Sequence, residues 1–129
     1  IFTHLHYDHA GNFDLFPNAE FYASKQEIED FKKHKISTLL NPVLAIKFKV
    51  NLKPLKELQG FRIISTPGHT KGSFCLFYVK EKLLFSGDTL FNNGIGRTDL
   101  PTSEESKMED SLNKLKKLNY KTLCPGHDY

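Results

Sequence analysis

The sequence is poor in cysteine, with only Cys75 and Cys124 among its 129 residues. A scaffold stabilised by several disulfides is therefore excluded. Both cysteines lie within apolar stretches of strand-like composition, which favours buried thiols over a disulfide or a metal-binding pair. Free thiols suit a reducing compartment, and we therefore predict a cytoplasmic protein.

The chain also lacks a strong net charge and a long hydrophobic run. Its formal net charge is +3, and most of its lysines are scattered over residues 32–56 and 107–121. Scattered lysines are typical of solvated faces rather than of a nucleic-acid patch. No apolar run approaches the roughly 20 residues of a membrane span, and nothing resembles a signal peptide. We expect neither a nucleic-acid nor a membrane partner, and the oligomeric state stays open.

Apolar patterning predicts six strands in a mixed α and β chain. They are expected at residues 1–3, 20–23, 61–65, 73–79, 83–87 and 122–124. The strands at 73–79 and 83–87 are separated by a short charged turn, which predicts an antiparallel hairpin.

Helices are predicted from start signals and from apolar spacing. Ser24 with Glu27 forms a candidate capping box that opens a helix to about Lys33, and Thr102 with Glu105 forms a second one. A short helix is also expected within residues 10–16. The remaining segment, residues 35–58, is predicted to be irregular with at most a helical turn.

The second candidate capping box precedes an apolar helical face. Its side chains recur at spacings of four and three residues, and they are Met108, Leu112, Leu115 and Leu118. One apolar stripe of this kind predicts a helix that packs on a core.

Three histidines and an aspartate crowd into the segment "HLHYDH", residues 4–9. If buried, each of these side chains would need a polar partner. Residues two apart in a loop can point to the same side, so His4 and His6 can bind one metal ion. Because imidazole and carboxylate are the usual ligands of zinc, the segment predicts half of a metal site, with Asp8 and His9 available for a second ion.

Further candidate ligands follow where other strands are expected to end. His69 lies in "TPGHT", Asp88 in "SGDT" and His127 in "PGHDY". Taken singly, His69 is ordinarily a loop histidine, while a turn cap is the alternative for Asp88 and a solvated terminus for His127. Their repetition at strand ends favours a metal site. His34 lies among lysines and is expected on the surface.

The motifs "THLHYDHAGN", "PGHTKGS", "LFSGDTLF" and "PGH", taken in this order, resemble those of the metallo-β-lactamase fold superfamily. Within it they are most similar to the glyoxalase II-type hydrolases, also called hydroxyacylglutathione hydrolases. The resemblance implies an α+β fold, an αββα sandwich with metals at one edge between two sheets. It implies one domain over residues 1–129 that lacks the family's N-terminal strands, and also lacks the helical extension with which some members bind glutathione.

By motif position, the resemblance implies two divalent metal ions, zinc in the first place, with iron or manganese as alternatives. The implied ligands are His4, His6 and His69 on one ion, Asp8, His9 and His127 on the other, and Asp88 as the bridge between them.

Such a centre predicts metal-assisted hydrolysis of a thioester or ester. Zinc lowers the pKa of a bound water to about 7, which supplies hydroxide at neutral pH. Asp8 and Asp88 are the predicted catalytic residues, Asp8 because it can also orient the hydroxide. No motif for a serine or cysteine nucleophile is present. An S-lactoylglutathione-type thioester is the expected small-molecule substrate.

Arg97 is the candidate substrate-binding residue. It lies in "NNGIGRTDLP", residues 92–101, which resembles the pocket loop of glyoxalase II-like proteins. Arg97 falls where that family places a basic residue for the glutathione moiety, and a guanidinium can pair with a carboxylate. An Arg97–Asp99 contact within the loop, without any ligand, is the alternative.

Three other functions stay open. Persulfide dioxygenases resemble glyoxalase II but use one iron, which the resemblance places on His4, His69 and Asp88. A lactonase of the same fold is a second alternative. β-Lactamases with a cysteine at the bridging position do not match Asp88. RNA-processing members are disfavoured because the chain has no strong excess of basic residues. The third is a non-catalytic fragment of a larger assembly.

Overall fold

A computed structural model describes residues 1–128, and it confirms the α+β class. The helices are α1 (Tyr7–Ala10), α2 (Lys25–Lys33), α3 (Lys35–Leu39), α4 (Pro42–Lys47) and α5 (Glu105–Lys116), with a 3₁₀ turn at Phe13–Leu15. The strands are β1 (Phe21–Ala23), β2 (Leu52–Pro54), β3 (Phe61–Ser65), β4 (Phe74–Tyr78), β5 (Leu83–Gly87) and β6 (Thr122–Pro125). Within this described part, no helix is long and apolar enough to cross a bilayer.

The strands form two sheets. β1 and β2 pair in parallel, and the four-stranded sheet has the order β3-β4-β5-β6. β4 and β5 form the predicted antiparallel hairpin, whereas β5 and β6 run parallel. In this sheet the loop between β3 and β4 and the carboxyl ends of β5 and β6 therefore lie at one edge.

Residues 1–3 connect the two sheets, although the strand predicted there is not formed. The Phe2 amide donates to the Tyr22 carbonyl, and the Phe74 amide donates to the Thr3 carbonyl. One hydrogen bond to each sheet is too few to make residues 1–3 a strand. The two bonds nevertheless fix where the following histidine segment begins, at the edge of the sheets.

Each sheet has its own apolar core. On the four-stranded sheet, Leu115 of α5 packs with Cys75, Phe77 and Leu84, as the predicted helical face requires. The other core contains Phe48, which lies beside the two-stranded sheet, together with residues of helices α1 to α4. Both cysteines are free, Cys75 buried and Cys124 half-buried, and burial raises the pKa of the Cys75 thiol to about 11.

The prediction of an irregular segment at 35–58 is wrong, because α3, α4 and β2 lie there. α3 ends at Leu39, because the next residue, Leu40, has a φ of 55° and leaves the right-handed helical region. Asn41 then caps α4, its side chain accepting from the Leu44 amide at 2.9 Å, with Pro42 at the first helical position. Proline at that position starts a helix rather than breaking one, and short helices of this kind depend on tertiary burial.

Two helix starts also differ from the prediction. The helix expected within 10–16 is not formed as an α-helix, because α1 ends at Ala10 and only the 3₁₀ turn at Phe13–Leu15 follows. α1 opens earlier, where the His6 carbonyl accepts from the amides of His9 and Ala10. α5 begins at Glu105 without a side-chain cap, so the Thr102 capping box is wrong. The segment before α5 is held instead by tertiary hydrogen bonds, because the Thr102 carbonyl accepts from the Lys71 amide at 2.8 Å.

Candidate metal centre

The structure brings the seven predicted ligands together at the shared sheet edge. Each follows the end of a strand or lies in the segment 4–9, directly after the residues that connect the sheets. The set is His4, His6, Asp8, His9, His69, Asp88 and His127. The parallel pairing of β5 with β6 places Asp88 beside His127, because Gly87, directly before Asp88, pairs with Pro125, two residues before His127.

The first group consists of three buried histidines, His4, His6 and His69, whose donor nitrogens lie within 4.8 Å of one another. Their residues are 0%, 3% and 4% exposed. His69 Nε2 lies 2.9 Å from His6 Nδ1, and His69 Nδ1 lies 2.8 Å from the Arg97 carbonyl oxygen. A carbonyl oxygen can only accept, so Nδ1 carries the proton and Nε2 offers its lone pair to the centre.

The second group consists of Asp8, His9 and His127, and it is more open to solvent. His127 Nε2 lies 3.1 Å from Asp8 Oδ2, and His9 Nε2 lies 3.7 Å from the same oxygen. The side chains of His9, His127 and Asp8 are 17%, 30% and 37% exposed. This group therefore forms the side of the centre that faces solvent.

Asp88 lies between the two groups. Its Oδ1 is 3.1 Å from His9 Nε2, and its Oδ2 is 3.3 Å from His127 Nε2 and 3.5 Å from His69 Nε2. Close packing of the backbone permits this position, because a Cβ at Gly126 would lie 2.2 Å from Asp88 Oδ1. One carboxylate thus touches members of both groups.

Burial keeps the first group neutral. It lowers the pKa of His4 well below its usual value, and the surrounding imidazoles, His9 first, lower it further. Burial and then the charge of His69 lower the pKa of His6 to about 4, against the opposing carboxylates. At neutral pH these side chains are therefore neutral imidazoles, the form that binds a metal ion.

On the solvent-facing side, the pKa of His9 shifts in the opposite direction to those of His4 and His6. Burial would lower the pKa of His9, but the hydrogen bond and charge of Asp88 outweigh burial and raise it. Burial would raise the pKa of Asp88, but the hydrogen bond from His9 and the nearby histidines lower it below its usual value. Asp88 is therefore an ionised carboxylate among imidazoles.

The donor set fits divalent metal ions. The Nε2 atoms of His4 and His6 are buried and have no hydrogen-bond partner within residues 1–128. An unpaired buried nitrogen is costly, and a metal ion is the partner that imidazole clusters with a carboxylate ordinarily bind. The residues present thus fit the cofactor that the motifs predicted.

The Arg97 side chain contacts Asp99 rather than the centre. Its Nε lies 2.7 Å from Asp99 Oδ1 and its Nη2 lies 2.8 Å from Oδ2, with both side chains about two-thirds exposed. This is the loop contact that the sequence left as the alternative. The link between Arg97 and the centre is its carbonyl oxygen, which is hydrogen-bonded to His69.

A cavity of about 520 Å³ opens over the centre. Five of its wall residues are apolar or aromatic, namely Tyr7, Leu40, Phe91, Ile95 and Leu100. Ile95 and Leu100 belong to the segment 92–101 that the sequence related to a pocket loop, whereas the other three were not identified from the sequence. Tyr7 and Phe91 lie within the motifs that predicted the metal ligands, so their position near the site could have been predicted from the sequence. Leu40 lies in the segment predicted to be irregular, and no sequence signal marks it.

Comparisons with known proteins agree with the geometry. The family model described as "Metallo-beta-lactamase superfamily" matches residues 1–127. A probable metallo-hydrolase of Methanocaldococcus jannaschii is 34% identical over 98% of this chain and 68% of its own length. A hydroxyacylglutathione hydrolase of Francisella tularensis subsp. novicida is 32% identical over 100% of this chain. The chain spans only 48% of that hydrolase.

Two solved structures show the same fold. A protein crystallised in a di-iron-bound form, TTHA1623, superimposes with a TM-score of 0.80 at 28% identity, over 98% of this chain and 68% of its own. The B3 metallo-beta-lactamase BLEG-1 superimposes with a TM-score of 0.72, also at 28% identity and with the same coverage. The fold expected from the sequence motifs is confirmed by these superpositions.

Proposed function

The chain belongs to the metallo-beta-lactamase superfamily, and we propose that it is a binuclear metal-dependent hydrolase of a thioester or ester. The proposed first ion is bound by His4, His6 and His69, and the second by Asp8, His9 and His127. Asp88 is the proposed bridge. Asp88 lies close to members of both ligand groups, and this position is the observation that carries the proposal.

Bound divalent ions would acidify a water molecule and offset negative charge on the substrate carbonyl oxygen. Zinc is the first choice, with iron or manganese as alternatives. Asp8 is the residue best placed to orient the attacking water, because it lines the cavity and its side chain is 37% exposed. The apolar wall at Leu40, Phe91 and Ile95 would exclude bulk water from the carbonyl.

An S-lactoylglutathione-type thioester is the substrate we propose. The similarity to a hydroxyacylglutathione hydrolase supports this choice. Arg97 lines the same cavity, and exchange of its Asp99 partner for a substrate carboxylate would bind the glutathione moiety without net loss of ion pairs. The two free thiols suit a reducing compartment, so the proposal places the protein in the cytoplasm.

Metal content and turnover together test the proposed function. We expect close to two ions per folded chain by elemental analysis, and hydrolysis of S-lactoylglutathione that a chelator abolishes and added metal restores. Two bound ions without turnover of any thioester or ester would overturn the hydrolase assignment.

An oxidoreductase with one iron is the second candidate. The difference in burial favours it, because His4, His69 and Asp88 are at most 8% exposed whereas the second group is partly open. A single iron per chain, with oxygen uptake in the presence of a persulfide, would select this function over hydrolysis.

A further inference from the structure

Glu27 is a fully buried carboxylate on α2, with 0% of its surface exposed. The sequence predicted that it would close a capping box with Ser24. The structure forms half of that box, since the Glu27 amide donates to Ser24 Oγ at 3.1 Å. The Glu27 side chain instead points away from the cap and contacts two loops that carry candidate metal ligands.

The Glu27 carboxylate accepts hydrogen bonds from both loops. Its Oε2 accepts from the Leu5 amide at 3.0 Å, and its Oε1 accepts from the Thr70 hydroxyl. The Gly72 amide also helps to hold down the pKa of this carboxyl group. The loop packs closely here, because a Cβ at Gly72 would lie 2.6 Å from Glu27 Cγ.

These contacts adjoin one ligand group. Leu5 lies between His4 and His6, and Thr70 directly follows His69. The hydrogen bonds of Glu27 therefore reach the backbone or side chain next to each member of the first group. The described contacts of this carboxylate include none to the second group.

We propose that Glu27 is a positioning residue that holds His4, His6 and His69 in one geometry and so sets the metal affinity of the first site selectively. The inference rests on the proposed metal centre. A carboxylate suits this position because it offers several acceptor sites to the amide and hydroxyl donors, whereas a neutral amide offers one oxygen. Residues that orient metal ligands typically change metal affinity about 10–100-fold when they are replaced.

Stepwise metal titration tests the proposal. Metal-free protein is titrated with zinc in competition with a chromophoric chelator, which measures the affinities of both sites without reference to turnover. For Glu27→Leu and Glu27→Gln we expect the first-site affinity to fall at least tenfold and the second-site affinity to stay within about twofold. Cobalt in place of zinc should give an altered visible spectrum at the first site only.

Asp30→Asn is the matched control. Asp30 lies one turn further along α2, is 9% exposed, and accepts from Gln26 within the same helix rather than from a ligand loop. We expect its zinc affinities to equal those of the unaltered protein. Thr70→Val removes the donor on the loop side, so it should reproduce the selective loss even if Glu27→Leu fails to fold.

The outcomes separate the two proposals. Unaltered first-site affinity in Glu27→Gln and Thr70→Val would overturn the role of Glu27, as would equal weakening of both sites. An unaltered protein that binds no metal would overturn both the metal centre and this inference. Two normal ions without hydrolysis would overturn the proposed function alone, because the selective loss at Glu27 is measured by binding.

Discussion

His69 Nδ1 lies 2.8 Å from the carbonyl oxygen of Arg97, while the Arg97 guanidinium binds Asp99 at the surface. The main chain of Arg97 thus orients a candidate metal ligand, whereas its side chain forms an ion pair within the loop. Replacing the side chain should leave the carbonyl in place. The two roles can therefore be separated by mutation.

Arg97→Ala should raise KM for a glutathione thioester several-fold and leave kcat nearly unchanged, because the lost ion pair serves binding rather than the reaction. Steady-state kinetics with S-lactoylglutathione and with a small uncharged ester would measure this. Asp99→Ala, which frees the guanidinium, is expected to lower KM for the charged substrate. Equal effects of Arg97→Ala on both substrates would contradict a role in glutathione binding.

His6→Ala and Asp88→Ala should each remove most hydrolysis, with losses of at least about a hundredfold, and should reduce bound metal. Asp88→Ala is expected to weaken both sites and His6→Ala chiefly the first, because Asp88 lies close to members of both groups whereas His6 contacts His69 of its own group. Elemental analysis and turnover are the measurements, with the exposed His34→Ala as the control. Full turnover in either variant would refute the assignment.

Gly126→Ala should disturb the bridging carboxylate, because the new Cβ would lie 2.2 Å from Asp88 Oδ1 and 2.9 Å from His9 Cε1. Overpacking of this kind costs about 1–3 kcal/mol, and here we expect reduced metal content as well. Gly94→Ala is the matched control, since a Cβ at Gly94 meets no atom within 4 Å. Thermal unfolding and metal analysis of the two variants side by side would decide, and indistinguishable results would count against this packing.

Glu27→Gln should change how the stability of the metal-free protein depends on pH. Burial is the largest effect on Glu27 and raises its pKa from 4.5 to about 7, despite the hydrogen bonds from Thr70 and Leu5. The folded protein then binds more protons than the unfolded chain between these values, so Glu27 makes stability fall as pH rises from about 4.5 to about 7. Because glutamine does not ionise, the fall in stability caused by Glu27 is absent in Glu27→Gln.

The difference in unfolding free energy between Glu27→Gln and the unaltered protein should therefore shift in favour of the variant over that interval. The shift is on the order of 3 kcal/mol, since one pKa unit corresponds to about 1.4 kcal/mol. Urea unfolding at a series of pH values measures it. Stability curves that stay parallel from pH 4.5 to 7 would show that the carboxylate does not titrate in this way.

Much of the local structure was predictable because its signals are local. The hairpin of β4 and β5 follows from two apolar runs around a charged turn, and the amide of Glu27 binds Ser24 as the capping pattern predicts. The helix at α5 follows from its apolar spacing, with Met108 and Leu115 buried. Its start was missed because tertiary contacts, rather than a capping side chain, hold the preceding segment.

The short helices α3 and α4 show the limit of local signals. They have five and six residues, too few to form without packing, and they are stabilised by burial of Leu39, Leu44 and Ala45 in the core that contains Phe48. The same packing brings Leu40 to the cavity wall. Neither the burial of these helices nor the position of Leu40 can be predicted from the sequence alone.

The sequence by itself determined the identity of the candidate ligands, because histidine and aspartate at predicted strand ends indicate a metal site even when the order of the strands in the sheet is unknown. It also determined the α+β class and the family through motifs whose order is visible in one dimension. Only the tertiary structure decided that Asp88 lies between two ligand groups, that Arg97 contacts Asp99, and that Glu27 turns from its helix cap to the ligand loops. These relationships depend on which strands pair and which side chains are buried together, and such contacts join residues that are far apart in the chain.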